Sequence, residues 1–253
     1  MEPLFLVISF LSGIFGGFYA ANVGGGALVG FPIMVLIGLP TANAIATQRF
    51  AAVILEFVSA IKFYKEGKLN LRFGLILGII AAVGAVIGTN IVLHVDERYL
   101  NIIIGILLLV VFIVLFNKDR VGIKEKNISN KNLIQIALFT FLLSIYGGFF
   151  GAGFGTLIMF LLVFAGFTFI KGAAISRVVG FFMSVASAIV FAHSGLINYA
   201  YGLSLGLGFA LGGWVGIGVA LKKGDNYVRT LLGVIILISV LKLVSGFFNI
   251  KLL

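Results

Sequence analysis

The sequence predicts an all-α polytopic membrane protein made of two tandem five-segment repeats, with eight full spans and two short segments. Three observations predict it. Of 253 residues, 61% are hydrophobic and only 10% charged, with a mean hydropathy of +1.23; soluble domains carry roughly 25% charge, so the solvent here is lipid. The chain shifted by 128 residues aligns Gly38–Val110 with Gly166–Ile238 without a gap, and 20 of the 73 positions are identical. Finally, one segment in each copy is apolar but far too short to cross a bilayer.

In the first copy the segments run approximately 4–21, 26–38, 43–64, 71–93 and 99–116. Segment 4–21 follows Met1-Glu2-Pro3 and lacks the positive start of a secretory leader, so it reads as the first membrane segment. Gly24-Gly25-Gly26 then breaks the chain, and 26–38 spans only about 13 residues where some 20 are needed. It is expected to be a half-helix, a re-entrant piece or part of a broken hairpin. Segment 43–64 carries Arg49 and Glu56. Segment 71–93 places Gly74, Gly78, Gly84 and Gly88 at four- and six-residue intervals, a pattern that lets helix backbones approach closely in lipid. The run Ile102–Phe116 fills the fifth segment.

A polar stretch, 117–132, links the copies, giving repeats over 1–116 and 133–253. The second copy repeats the order at 133–150, 155–167, 171–192, 199–221 and 228–247. Gly67, Asn70, Gly74, Gly78, Gly84 and Gly88 match Gly195, Asn198, Gly202, Gly206, Gly212 and Gly216, and Arg49 matches Arg177. Upstream the alignment slips by one, setting Asn22–Gly26 on Gly151–Gly155.

The net charge of +10 is spread over short links rather than a basic face interleaved with aromatics, which argues against nucleic acid as a partner. Loop charge bears on orientation. If all five segments cross, the copies are inverted, and the basic loop 62–72, the linker and Lys222–Lys223 share the cytoplasmic side. If the short segments do not cross, the copies are parallel and Lys222–Lys223 lie outside. The positive-inside rule favours the inverted arrangement.

Candidate binding residues stand out against this apolar background. Gly24, Gly25 and Gly26, with Gly151, Gly153 and Gly155, open two short helices whose free N–H groups suit an anion; plain tight turns are the alternative. Arg49 and Arg177 lie about two turns into their segments and offer permanent forked cations matched to oxyanions. Snorkelling, or pairing with carbonyls at a broken helix, would explain them equally simply. Glu56, two helical turns beyond Arg49, is a candidate proton carrier or half of a structural ion pair. Asn22, Asn43, Thr47, Gln48 and Ser176 could hydrogen-bond a solute, although interhelical bonding is their commoner use. His94 and His193 lack partners at metal-ligand spacing, and no catalytic constellation appears, so neither enzyme activity nor a metal or cofactor is expected.

The glycine cluster followed by Pro32 and Gly38-Leu39-Pro40-Thr41-Ala42-Asn43-Ala44, and its echo Gly147–Gly155, resemble the TauE/SafE sulfite and sulfonate exporter family. The resemblance covers essentially the whole chain. Asn22 stands in place of the first Gly of the family's Gly-x-Gly-Gly-Gly run, and Phe154 interrupts the second copy. What the resemblance implies is a multi-pass plasma-membrane transporter of sulfur-containing or organic anions, coupled to protons. A passive anion channel and a membrane scaffold are the competing readings.

Overall fold

The computed structural model describes residues 2–95 and 130–247. Eight helices occur among them: α1 (Glu2–Val23), α2 (Ala27–Leu36), α3 (Thr41–Lys65), α4 (Leu71–His94), α5 (Asn130–Phe149), α6 (Phe154–Ala165), α7 (Phe169–His193) and α8 (Tyr199–Phe247), with no strand among the described residues. Helix α8 is interrupted at Gly224, whose φ of 79° and ψ of −177° are non-helical, near the expected gap between segments 199–221 and 228–247. The expected segment 99–116 and most of the linker lie outside the described residues. The last linker residues, from Asn130, already belong to α5.

Among the described residues five stretches are long and apolar enough to cross a membrane: Pro3–Asn22, Thr41–Lys65, Leu71–His94, Phe169–His193 and Tyr199–Val228. Helices α2 and α6 have 10 and 12 residues. At 1.5 Å per residue they reach only about 15–18 Å, half the bilayer core. Both are short, as their sequences indicated.

The long helices begin and end through local chemistry. Gly67 and Gly195, at φ 66° and 68°, let the chain leave α3 and α7 in the left-handed conformation. In each turn the next residue's N–H reaches back, Lys68 to the Phe63 carbonyl and Leu196 to that of Phe191. Three residues later Asn70 and Asn198 cap α4 and α8, accepting from Phe73 N and Tyr201 N at 3.1 Å each.

The helices interlock across the middle of the chain. α1 packs along α8 and α5 along α4, while α3 and α7 sit side by side at the centre, α3 also against α8 and α7 against α4. Glycines make these seams. A side chain at Gly88 would strike the Ile145 carbonyl and one at Gly84 the Phe141 carbonyl at 2.6 Å; one at Gly212 would strike the Ile14 carbonyl and one at Gly216 that of Phe18 at 2.8 Å. Likewise Gly78 accommodates Phe182 and Gly206 accommodates Ile54. The outer faces of α1, α4 and α8 present Leu11, Phe15, Ile79, Val83, Leu207 and Leu211, the side that apolar solvent would cover.

Two ends are distinguishable. At one, Lys62, Glu66 and Lys222 line a common pocket, and Lys62 Nζ donates to the Trp214 carbonyl at 2.7 Å while lying 4.6 Å from the Trp214 ring centre. At the other, the start of α3 meets the turn before α8.

Candidate functional site

The chain breaks twice in its interior, and the two breaks touch. Gly24 and Gly25 both have φ of 80°, Gly151 and Gly153 have 75° and 76°, conformations that L residues other than glycine seldom adopt. A Cβ on Gly24 would lie 2.7 Å from the Gly155 backbone carbon, and one on Gly25 would lie 3.4 Å from Gly153 Cα. The helices that leave these breaks, α2 and α6, have no side-chain cap from Gly26 or Gly153, and their positive ends point into the region where the breaks meet.

The packing corrects the alignment of the breaks. Gly84 and Gly88 rest on Phe141 and Ile145, and their sequence equivalents Gly212 and Gly216 rest on Ile14 and Phe18. That register sets Gly24, not Asn22, opposite Gly151. Runs containing several glycines slide past one another with little loss of identity, which is why matching by residue type drifted there.

Arg49 projects from α3 into the second break. It is 2% exposed, and its Nη2 donates to the carbonyls of Gly147 at 2.7 Å and Phe150 at 2.9 Å. Any side chain at Gly151 would collide with this guanidinium. The same break is pinned by the Tyr146 hydroxyl, which donates to the Ala152 carbonyl. Arg177, 1% exposed on α7, has a different partner: its Nη1 lies 3.1 and 3.3 Å from the two carboxylate oxygens of Glu56. Glu56 therefore pairs across the molecule and not with Arg49 on its own helix. Its carboxyl group is seated over Gly180 of α7, where a Cβ would come within 2.9 Å of Cδ. Both arginines keep a buried Nε without a hydrogen-bond partner.

A cavity of about 20 Å³ lies beside Arg49 and Glu56, lined by both glycine breaks together with Gln48 and Ala52. It has room for about one water molecule. Two guanidinium groups and one carboxylate meet in this centre, leaving one positive charge uncompensated if Glu56 is ionised.

The sequence profile of the family described as "Sulfite exporter TauE/SafE" matches residues 9–243. The chain belongs to the TauE/SafE family. Its similar relatives include a "Probable membrane transporter protein ORF9" of Sinorhizobium, 25% identical over 241 residues covering 95% of this chain and 92% of that one. A "Probable membrane transporter protein" of Haemophilus influenzae is 26% identical over 247 residues, 96% and 97% of the two chains. A third, from Methanocaldococcus jannaschii and also named a probable membrane transporter, is 27% identical over 227 residues, 87% of this chain and 79% of its own. No solved structure matches. The protein is thus a multi-pass membrane protein of a transporter family.

In this TauE/SafE chain not every predicted site residue reaches the centre. Gly24, Gly25, Gly26, Gly151, Gly153, Gly155, Gln48, Arg49, Arg177 and Glu56 converge there. Asn43 and Thr47 instead hold the distant turn before α8: Asn43 Nδ2 donates to the Leu196 carbonyl at 3.0 Å, and Thr47 Oγ1 accepts from Asn198 N at 2.9 Å. Ser176 donates to the Ala173 carbonyl one turn back, and Asn22 to the Phe18 carbonyl. Both bond within their own helices, although the buried Oδ1 of Asn22 has no partner. What sequence reading missed are the carbonyls of Gly147 and Phe150 and the small residues Ala52 and Gly180. Main-chain acceptors leave no mark in residue identity. Among the described residues no group of three or more His, Asp or Glu side chains could hold a metal ion.

Proposed function

We propose that this protein is a proton-coupled secondary transporter of small sulfur-containing or organic anions, of the sulfite or organosulfonate class, with its anion site between two inverted repeats. The observation that carries the proposal is the convergence of two uncapped helix starts, two permanent cations and one carboxylate on a single buried point. Charge inside a membrane protein is costly and is retained where it serves a solute or a proton. Broken helices at corresponding places in two halves are where secondary transporters hold their cargo.

Several features support the finer points. The sharing of one end by Lys62 and Lys222, with the uncharged turns at the other, agrees with inverted copies and with a cytoplasmic basic face. The family's description as a sulfite exporter supports the solute class. Glu56 suits proton coupling because its carboxylate already occupies Arg177. Adding a proton to Glu56 would loosen that pair and raise the positive charge of the centre, so proton and anion would each favour the other's arrival.

Flux into liposomes tests the reading. Sulfite uptake should saturate, and Arg49→Ala or Arg177→Ala should abolish it in protein that still folds. Glu56→Gln should leave uptake that no longer responds to a pH gradient. Parental rates in all three variants would refute the proposal.

A further inference from the structure

The Glu56–Arg177 pair has no counterpart in the other half. By the gap-free shift of 128 residues, Arg177 corresponds to Arg49, Glu56 to Ser184, and Gly180, over which the Glu56 carboxyl lies, to Ala52. Arg49 and Ala52 both line the central cavity. Ser184 is 1% exposed with a buried hydroxyl that lacks a partner, and Arg49 keeps a buried Nε in the same condition. One half thus carries a tethered anion on its arginine; the other has the arginine, the small residue and the buried, unpartnered Ser184 hydroxyl where the carboxylate would be, beside a cavity whose wall includes Glu56 of the first half.

We infer that the solute's oxyanion binds beside Arg49 and over Ala52, taking the place that a second glutamate at position 184 would fill. The inference rests on the proposed anion site and narrows it. Arg177 is then the cation already occupied by the protein's own carboxylate, and Arg49 the one that takes the solute. Nη2 of Arg49 stays on the Gly147 and Phe150 carbonyls, and its unpartnered Nε remains for the ligand. The positive start of α2 faces the same void through Gly25 and Gly26. Because the cavity holds about one water, sulfite must widen it on entry.

Supplying the missing carboxylate tests this. In the full chain purified in detergent, Ser184→Glu should melt several degrees above its neutral isostere Ser184→Gln, and the difference should vanish when Arg49→Ala is added. Sulfite should raise the melting temperature of the parent and of Ser184→Ala, and that shift should disappear in Ser184→Glu. Equal stability of the Glu and Gln variants, or an undiminished sulfite shift in Ser184→Glu, overturns the inference. A parent that ignores sulfite would remove the sulfite reading while the Glu–Gln comparison still decides whether the void takes an anion. Should Ser184→Glu not fold, Glu56→Ser provides the converse: it opens the equivalent place on Arg177, and equilibrium dialysis with labelled sulfite should count two bound anions where the parent binds one. A count that stays at one overturns the inference.

Discussion

Glu56 and Arg177, 121 residues apart, form a buried ion pair with Nη1 3.1 Å from Oε2. The pair joins α3 to α7, the two central helices of the fold, and does so beside both glycine breaks. Its burial sets how each partner responds to loss of the other.

Removing Glu56 leaves Arg177 charged and unpaired in the interior, and removing Arg177 leaves Glu56 buried without its partner; breaking a buried pair from one side costs about 3–5 kcal/mol. Arg177→Met and Glu56→Gln should each destabilise strongly, and the two combined should recover much of the loss. Unfolding in detergent, arranged as a double-mutant cycle, measures the coupling. Additive losses would mean the two groups act independently.

Arg49 holds two carbonyls of the second break, and Arg49→Ala leaves both without this donor. An unsatisfied buried acceptor costs roughly 1–3 kcal/mol, so the variant should melt well below the parent. Arg49→Lys keeps the charge but not the fork and should recover only part of that loss. Thermal unfolding of the three proteins side by side provides the check.

The glycine seams should tolerate no enlargement. Gly88→Leu drives a side chain into the Ile145 carbonyl, and overpacking of this kind costs at least 1–3 kcal/mol or so. Ile79→Leu, at an outward-facing position 60% exposed, should change stability by less than about 0.5 kcal/mol. The yield of monodisperse protein on size exclusion will separate the two.

Asn43 and Thr47 tie α3 to the turn before α8 and do not line the central cavity. Asn43→Ala and Thr47→Val should each cost about 1 kcal/mol of stability and leave the sulfite-induced rise in melting temperature intact. A lost sulfite response in either variant would bring that end of α3 into the site.

Much of this was legible before any coordinates. Gly67 with Asn70, and Gly195 with Asn198, specify a left-handed exit and a cap through backbone rules that act within four residues, and both turns form as written. The two short helices follow from apolar runs that end too soon. The polar candidates were less legible, because Asn43, Thr47, Gln48 and Ser176 look alike as sequence. Only the direction in which each leaves its helix sends Gln48 to the cavity and Asn43 to a distant turn.

By itself the sequence determined that the chain is helical, that it lives in lipid, where the helices break, and which residues carry charge into the interior. These follow from composition, segment length and local backbone chemistry. Tertiary structure alone decided that α1 lies on α8 and α5 on α4, that Glu56 meets Arg177 and not the arginine on its own helix, and that Arg49 rests on carbonyls. Such partners depend on which faces come together in three dimensions, and no local pattern along the chain encodes that.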